Sequence, residues 1–90
     1  MTTPSYRRRA DVLWRRSLDA VLCLPPGAAE PVTLAGTGPE VWELLQTPQS
    51  LAQLAAELAA RHQTSAEVVA RDVQPVLERL AALGLIQPVF

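Results

Sequence analysis

The change from a strand to a helix lies in residues 32–45, which read VTLAGTGPEVWELL. Val32 and Leu34 alternate with a threonine, as in a short strand that has one buried face. The next segment, Thr37-Gly38-Pro39-Glu40, has the pattern of a capping box with proline in the first helical turn. Three apolar residues then follow at helical spacing: Val41, Leu44 and Leu45. The stretch therefore predicts a strand, a tight turn and an amphipathic helix in succession.

Two further strands are predicted upstream of this stretch. Residues 12–18 alternate, with Val12, Trp14, Arg16 and Leu18 on one face. Residues 20–24 form a short apolar run, and the proline- and glycine-containing segment 25–30 has the composition of a loop. Together with residues 31–35 these segments predict a three-stranded antiparallel meander, which needs helices to cover its apolar face.

Two more helix starts are predicted downstream, at Ser50-Leu51-Ala52-Gln53 and at Thr64-Ser65-Ala66-Glu67. Gly84 has the position of a helix stop, and Leu85-Ile86 can return to the sheet or to the core. The predicted fold class is therefore α+β. We expect a winged-helix-like domain in which a three-stranded antiparallel sheet is followed by three helices.

The composition limits the chemistry that the chain can perform. Its 90 residues are about half apolar, which is enough for one modest core. A single cysteine excludes an internal disulfide and a cysteine-based zinc cage, and a single histidine argues against a histidine-centred metal site or triad. We therefore predict no cofactor and no metal. No apolar run reaches membrane-spanning length and no signal peptide is evident, so a cytoplasmic protein without a membrane partner is expected.

The charges are distributed unevenly along the chain. Residues 1–18 hold five arginines against one aspartate, a net charge of +4, and the remainder carries −5. We interpret residues 1–11 as a basic, flexible lead-in segment. A winged helix that binds DNA needs a basic recognition helix, whereas residues 66–83 carry a net charge of −1. DNA binding stays an alternative, as does a purely structural role, but nucleic acid is not the expected partner.

No residue pattern indicates catalysis. Gly36-Thr37-Gly38 lacks the lysine and the third glycine of a phosphate-binding loop. Cys23 lies within an apolar strand, where a buried small side chain is expected. His62 falls in a last helical turn and is expected to cap the helix or face solvent. Trp14 and Trp42 are expected to anchor the core. We therefore predict that the chain is not an enzyme.

The last helix has three distinguishable faces on an idealised helical wheel. The core face holds Ala66, Val69, Val73, Val76, Leu77, Leu80, Leu83 and Gly84. The solvent face holds Glu67, Arg71, Gln74 and Glu78. A third strip holds Val68, Asp72, Pro75 and Arg79, and this mixture suits either peptide recognition or simple exposure. Pro75 predicts a kink or a break between residues 71 and 75.

Residues 32–45 resemble the segment V-x-L-N-x-T-A-x-x-I-x-x-L of PqqD-like proteins. Residues 50–58 are similar to the following helix of that family, and the apolar positions of residues 72–86 are similar to its last helix and its L-x-x-x-G-L-I ending. The resemblance covers residues 12–87. Ala35 stands where the family usually has asparagine, and the turn at residues 46–49 is shortened, so a relative of PqqD is indicated more than the pyrroloquinoline quinone protein itself.

This resemblance implies a recognition element for a ribosomally made precursor peptide. Such a domain binds the leader segment as an added strand at the edge of its sheet, beside the last helix. The residues expected to bind the leader are Val32, Thr33, Leu34, Val68, Asp72, Pro75, Val76 and Arg79. Free-standing versions of this size resemble the small protein of split lasso-peptide systems, whose partners are a separate leader peptidase and a cyclase. The alternatives are a PqqD-type chaperone of pyrroloquinoline quinone or another ribosomal-peptide pathway.

Overall fold

The computed structural model of the chain describes residues 4–89, which contain six strands and three helices. In chain order these are β1 (Ser5–Arg8), β2 (Leu13–Ser17), β3 (Ala20–Leu24), β4 (Val32–Leu34), α1 (Gly38–Leu44), β5 (Gln49–Ser50), α2 (Leu51–His62), α3 (Ala66–Ala82) and β6 (Ile86–Val89). The predicted α+β class is confirmed, with three helices and antiparallel three-stranded sheets. The likeness to a winged helix stays a prediction.

The predicted meander is present as the sheet β2-β3-β4, with β3 in the centre. Val21 is opposite Leu34 and Cys23 is opposite Val32 across the β3–β4 ladder. Cross-strand partners share a face, so these four residues lie on the inner side of the sheet. The three helices cover this inner side, and the core that forms there is the only large apolar cluster of the described chain. Its fully buried members include Trp42, Leu45, Leu54, Leu58, Val73, Leu80 and Leu85.

A second sheet, with the strand order β5-β1-β6, was not predicted. Residues 1–3 of the predicted flexible segment lie outside the described residues, but Ser5–Arg8 form β1. This strand pairs with β6 over four residues, from Ser5 opposite Val89 to Arg8 opposite Ile86, and with β5 on its other side. The expectation of a solvated basic segment is therefore wrong for β1, because strands distant in sequence satisfy its backbone.

Trp14 is not the core anchor that the sequence predicted. Its side chain is 46% exposed, whereas Trp42 is 1% exposed, and the two rings meet edge to face with centroids 6.0 Å apart. The guanidinium carbon of Arg8 lies 4.9 Å from the Trp14 ring and 5.1 Å from the Trp42 ring. Arg8 therefore makes cation–π contacts to both rings and joins β1 to the first sheet. Burial lowers the pKa of this arginine from its ordinary value.

Only some of the helix caps that the sequence predicts are present in the structure. At α2 the predicted capping box is present, because Ser50 Oγ accepts from the Gln53 amide and Gln53 Oε1 accepts from the Ser50 amide. At α3 the cap is Ser65 rather than Thr64. At α1 the predicted capping box is wrong, since the Thr37 side chain makes no capping hydrogen bond. Gly84 has φ +75° and ends α3 as predicted.

The predicted break at Pro75 is absent, because α3 runs without interruption from Ala66 to Ala82. Proline supplies no N–H to the carbonyl of Arg71, but both residues are exposed, so water can satisfy that carbonyl. Buried Val73 and Leu77 flank the proline and hold the helix against the core. None of the helices described is long and apolar enough to cross a membrane.

Candidate functional site

Strand β4 is the outer strand of its sheet on the side of α3. One edge of β4 pairs with β3, and no strand of residues 4–89 pairs with the other edge. Beside β4 lies a recess of about 150 Å³. Residues of β4, of the connection to α1 and of α3 line it: Thr33, Leu34, Ala35, Thr37, Gly38, Val76, Arg79 and Leu80. An unpaired strand edge thus borders a recess that α3 closes on the far side.

The floor of this recess depends on the close approach of α1 to β4. Gly38 begins α1 and is buried. A Cβ at this position would lie only 3.1 Å from Cβ of Leu34. The absence of a side chain therefore lets the first turn of α1 lie directly against the strand, in the way that close backbone approach commonly requires glycine. Pro39 follows in that turn, where its missing N–H costs little.

The α3 wall of the recess combines an apolar and a charged group. Val76 is half-buried and packs against the core cluster, and Leu80 is buried. Arg79 is exposed and forms no ion pair with any residue of the described chain. Its guanidinium is therefore available to an acceptor or a carboxylate on a bound molecule.

A second recess of about 290 Å³ lies beside the first, since Thr37 lines both. Asp72 of α3 lines this second recess, along with Glu40 of α1 and His62 of α2. The Nε2 atom of His62 lies 3.0 Å from both carboxylate oxygens of Glu40. Asp72 is exposed and has no ion-pair partner among residues 4–89. We call these two adjacent recesses along α3 the trough, in which Arg79 lines the first recess and Asp72 lines the second.

The structure brings together five of the eight residues that the sequence predicted for peptide binding. Thr33, Leu34, Val76 and Arg79 line the first recess, and Asp72 lines the second. Val32 faces inward and packs against the core. Two further members of the predicted strip are exposed and line neither recess: Val68 and Pro75.

Sequence reasoning missed two contributions to the trough. Thr37 and Gly38 were interpreted as part of a helix cap, and Ala35 was interpreted as the end of the third strand. The pairing of Glu40 with His62 joins residues 22 positions apart, and no local sequence pattern predicts it. The glycines on either side of Thr37 were the available signal, because glycine often marks a close backbone approach.

Cys23 lines neither recess of the trough and does not have the surroundings of a reactive thiol. Cys23 is buried in β3, and burial raises the pKa of its thiol to about 11, with Arg8 acting in the opposite direction. The thiol is therefore protonated at neutral pH and inert as a nucleophile. Within residues 4–89, no three histidine, cysteine or acidic side chains are grouped so that they could hold a metal ion.

The sequence profile of the PqqD family, described as coenzyme PQQ synthesis protein D, matches residues 21–86. The chain belongs to the PqqD family. The match runs from β3 to the first residue of β6, so it includes β4, α3 and the trough between them. No curated protein and no solved structure gives a significant match to the chain.

PqqD membership supports a chaperone-like protein that binds a ribosomally synthesised precursor peptide and works with biosynthetic enzymes. The resemblance found in the sequence is thus confirmed at the level of the family. The PqqD match begins at residue 21, inside β3, so the predicted domain span of 12–87 stays a prediction.

Proposed function

We propose that this member of the PqqD family binds the leader segment of a precursor peptide as an additional strand on β4. In this proposal it presents the leader to a separate leader peptidase and a cyclase of lasso-peptide biosynthesis, in the cytoplasm. One observation carries the proposal: the unpaired edge of β4 borders a recess that α3 closes on its other side. An extended peptide that pairs with this edge would lie between the strand and the helix.

The proposed binding mode divides affinity and specificity between backbone and side chains. Main-chain hydrogen bonds to β4 supply affinity that does not depend on the leader sequence. Alternate leader side chains point towards α3, and a cavity of about 150 Å³ accepts a group about the size of benzene. We therefore expect one leucine-sized or aromatic side chain of the leader to enter the recess beside Val76.

The two charged residues of the trough are proposed to fix the register of the leader. Asp72 and Arg79 are both exposed and without ion-pair partners in the described chain. They lie seven residues apart on α3, which is about two helical turns or roughly 10 Å. An extended peptide covers that distance in about three residues. Each can therefore hold a different polar group of the same bound segment.

Truncation of the trough residues tests this proposal. Asp72→Ala, Val76→Ala and Arg79→Ala are each expected to weaken leader binding by roughly fivefold or more, because they remove central contacts. The probe is a fluorescein-labelled synthetic leader peptide of the cognate precursor, and affinity is measured by fluorescence polarisation. A melting curve accompanies Val76→Ala, since that side chain also packs against the core.

Gln74→Ala and Glu78→Ala are the matched controls on the other flank of α3. Both residues are exposed and line neither recess of the trough, and they are expected to leave leader binding unchanged. If these two changes prove damaging while the trough variants bind normally, the leader occupies the opposite flank. If neither set matters, α3 is only a scaffold and the proposed site is wrong.

The departures from the family pattern at Ala35 and at residues 46–49 support a relative of PqqD over the pyrroloquinoline quinone protein itself, and lasso-peptide biosynthesis is the pathway that we propose for it. The alternatives are a PqqD-type chaperone of pyrroloquinoline quinone and another ribosomal-peptide pathway. Co-expression with the neighbouring genes distinguishes them. Appearance of a threaded product that depends on this chain supports the lasso assignment, and formation of pyrroloquinoline quinone overturns it.

A further inference from the structure

Large apolar side chains are exposed mainly on one hairpin of the molecule. Four such residues are exposed in the described chain, and three of them lie on β2 or in the turn that follows it. Leu13 is 71% exposed, Trp14 is 46% exposed and Leu18 is 93% exposed. Single exposed apolar residues are ordinary, but a group on one element commonly marks an interaction surface.

Leu18 also has an unfavourable backbone conformation. It lies in the turn between β2 and β3 with φ +56°, in the left-handed region. That conformation costs a residue with a Cβ about 1–2 kcal/mol, and asparagine or glycine would adopt it more readily. The side chain is almost fully exposed, so its contacts within the described chain do not offset this cost. Backbone strain of this kind is concentrated at functional positions.

The hairpin presents a shallow apolar concavity on the face of the sheet that the helices do not cover. Leu13 is opposite Leu24 and Arg15 is opposite Leu22 across the β2–β3 ladder, so these four side chains share one face. A recess of about 240 Å³ lies among them. We call these four residues, together with Leu18 in the turn at the tip of the same hairpin, the hairpin surface.

We propose that the hairpin surface docks the modifying enzyme that acts on the bound leader. The enzyme is expected to offer an apolar socket bordered by a carboxylate. Leu13 and Leu18 supply the apolar contact. Arg15 is the charged side chain on the strand face and has no ion-pair partner within residues 4–89, so it complements an acidic group. A second copy of the chain is the competing occupant, and the oligomeric state distinguishes it from the enzyme.

The position of the hairpin surface suits presentation of a bound peptide. β2 and β4 are the two outer strands of the same sheet, with β3 between them. The hairpin is therefore separated from the proposed leader edge by one strand, and both sites can be occupied together. This inference rests on the proposed function, because it takes the docked enzyme to act on a leader held at β4.

The test measures two affinities for the full chain and its variants. The probes are the labelled leader peptide, by fluorescence polarisation, and the purified modifying enzyme encoded beside the gene, by biolayer interferometry. Leu18→Asn and Leu13→Asn are expected to weaken enzyme binding about tenfold or more, as loss of a central apolar contact does, and to leave leader affinity unchanged. Leu18→Asn is also expected to melt no lower than the parent chain, because it relieves the backbone strain.

Charge reversal supplies the matched comparison. Arg15→Glu is expected to weaken enzyme binding, whereas Arg7→Glu on the exposed side of β1 is expected to leave it unchanged. Equal loss of leader and enzyme binding would assign the hairpin to the leader site, and unchanged enzyme binding in all variants would also overturn the inference. A concentration-dependent dimer that Leu18→Asn abolishes would replace the enzyme with a second copy. Absence of leader binding in the parent chain, with enzyme binding intact, would instead contradict only the proposed function.

Discussion

Cys23 and Arg8 show how single residues depend on their surroundings in this fold. The cysteine is fully buried at the centre of the first sheet, and the arginine lies over the two tryptophan rings at its margin. Burial acts on both in the direction that disfavours charge, so it raises the pKa of the thiol and lowers the pKa of the guanidinium. Cys23 is accommodated as a neutral thiol, whereas the faces of the two tryptophan rings compensate part of the hydration that Arg8 loses.

The cysteine predicts a stability loss at alkaline pH. The thiol of Cys23 has an ordinary pKa of 9.0, and burial raises it to about 11 in the folded chain. Between these values the unfolded chain has released the proton that the folded chain still holds, so the free energy of unfolding falls as pH rises. In urea titrations, the parent chain is expected to lose stability more steeply than Cys23→Ala between about pH 9 and about pH 11.

The comparison with Cys23→Ala removes the contribution of other groups that titrate in this range. The alanine variant is less stable at neutral pH because it leaves a small cavity. The stability difference between the two proteins is expected to shrink as the pH rises. Parallel pH profiles would show that the folded thiol ionises as readily as the unfolded one, and the assigned pKa shift would then be wrong.

Among the elements, β4 allows the proposed strand addition to be tested at the backbone. Successive residues of a strand point their N–H groups to opposite edges, so Thr33 and Leu34 differ in which edge they serve. Thr33→Pro and Leu34→Pro each remove one N–H. One variant is expected to lose pairing with β3 and therefore stability, and the other to lose leader affinity while it stays folded. Circular dichroism and fluorescence polarisation measure the two effects.

Thr33→Ala and Leu34→Ala separate the backbone effect from loss of the side chain. The second control is needed because Leu34 is 6% exposed and contributes to the core. If both proline variants remain folded and bind leader as the parent chain does, the leader does not pair with β4. Proline disrupts a strand edge only where its missing N–H would have been used.

Elements with a local physical signal were predictable from the sequence, and elements without one were not. The cap of α2 needs only Ser50 and Gln53, which are three residues apart. Alternation located β2 and β4, and a short apolar run located β3. No comparable pattern marks β1, because its partner β6 lies about eighty residues away and its stabilising contact is Arg8 on two distant tryptophans. The contact with Arg8 also explains why Trp14 was wrongly predicted to anchor the core, since alternation cannot show that an arginine covers one side of the ring.

The same distinction between local and tertiary signals applies to the two sides of the candidate site. Periodicity separated the face of α3 that bears Asp72 and Arg79 from the face that bears Gln74, so the helix side of the trough was predictable. Its other side depends on the approach of Gly38 to Leu34, which is a tertiary contact. Val68 and Pro75 were included because a helical wheel extends the strip along the whole helix, whereas β4 contains only three residues and faces only part of it.

At the scale of the whole molecule, the sheet β5-β1-β6 is expected to hold the ends of the chain together. Deletion of residues 1–9 removes β1 and leaves β5 and β6 without a common partner. It also removes Arg8 from the tryptophans and Tyr6 from the margin of the core. We expect the truncated protein to melt at a clearly lower temperature in differential scanning calorimetry, since paired strands and packed side chains are lost together.

Arg8→Ala is the milder companion of this deletion. It removes the cation–π contacts and the packing of the side-chain stem but keeps the β1 backbone, so a loss of about 1–2 kcal/mol is expected. Arg7→Ala, on the exposed side of the same strand, is expected to change stability by less than about 0.5 kcal/mol. An unchanged melting temperature after deletion of residues 1–9 would show that β1 contributes nothing to the folded state.

The pairing of Ser5 with Val89 has a consequence for engineering. Directly opposed residues of antiparallel strands lie about 5 Å apart at their Cα atoms, so a short glycine linker can join them. New termini could then be opened in the loop between β3 and β4, which spans residues 25–31. Such a circular permutant would retain every strand pairing, and the same geometry would let residues 5–89 be inserted into a surface loop of another protein. A recognition module of this shape could thus be transplanted without long tethers.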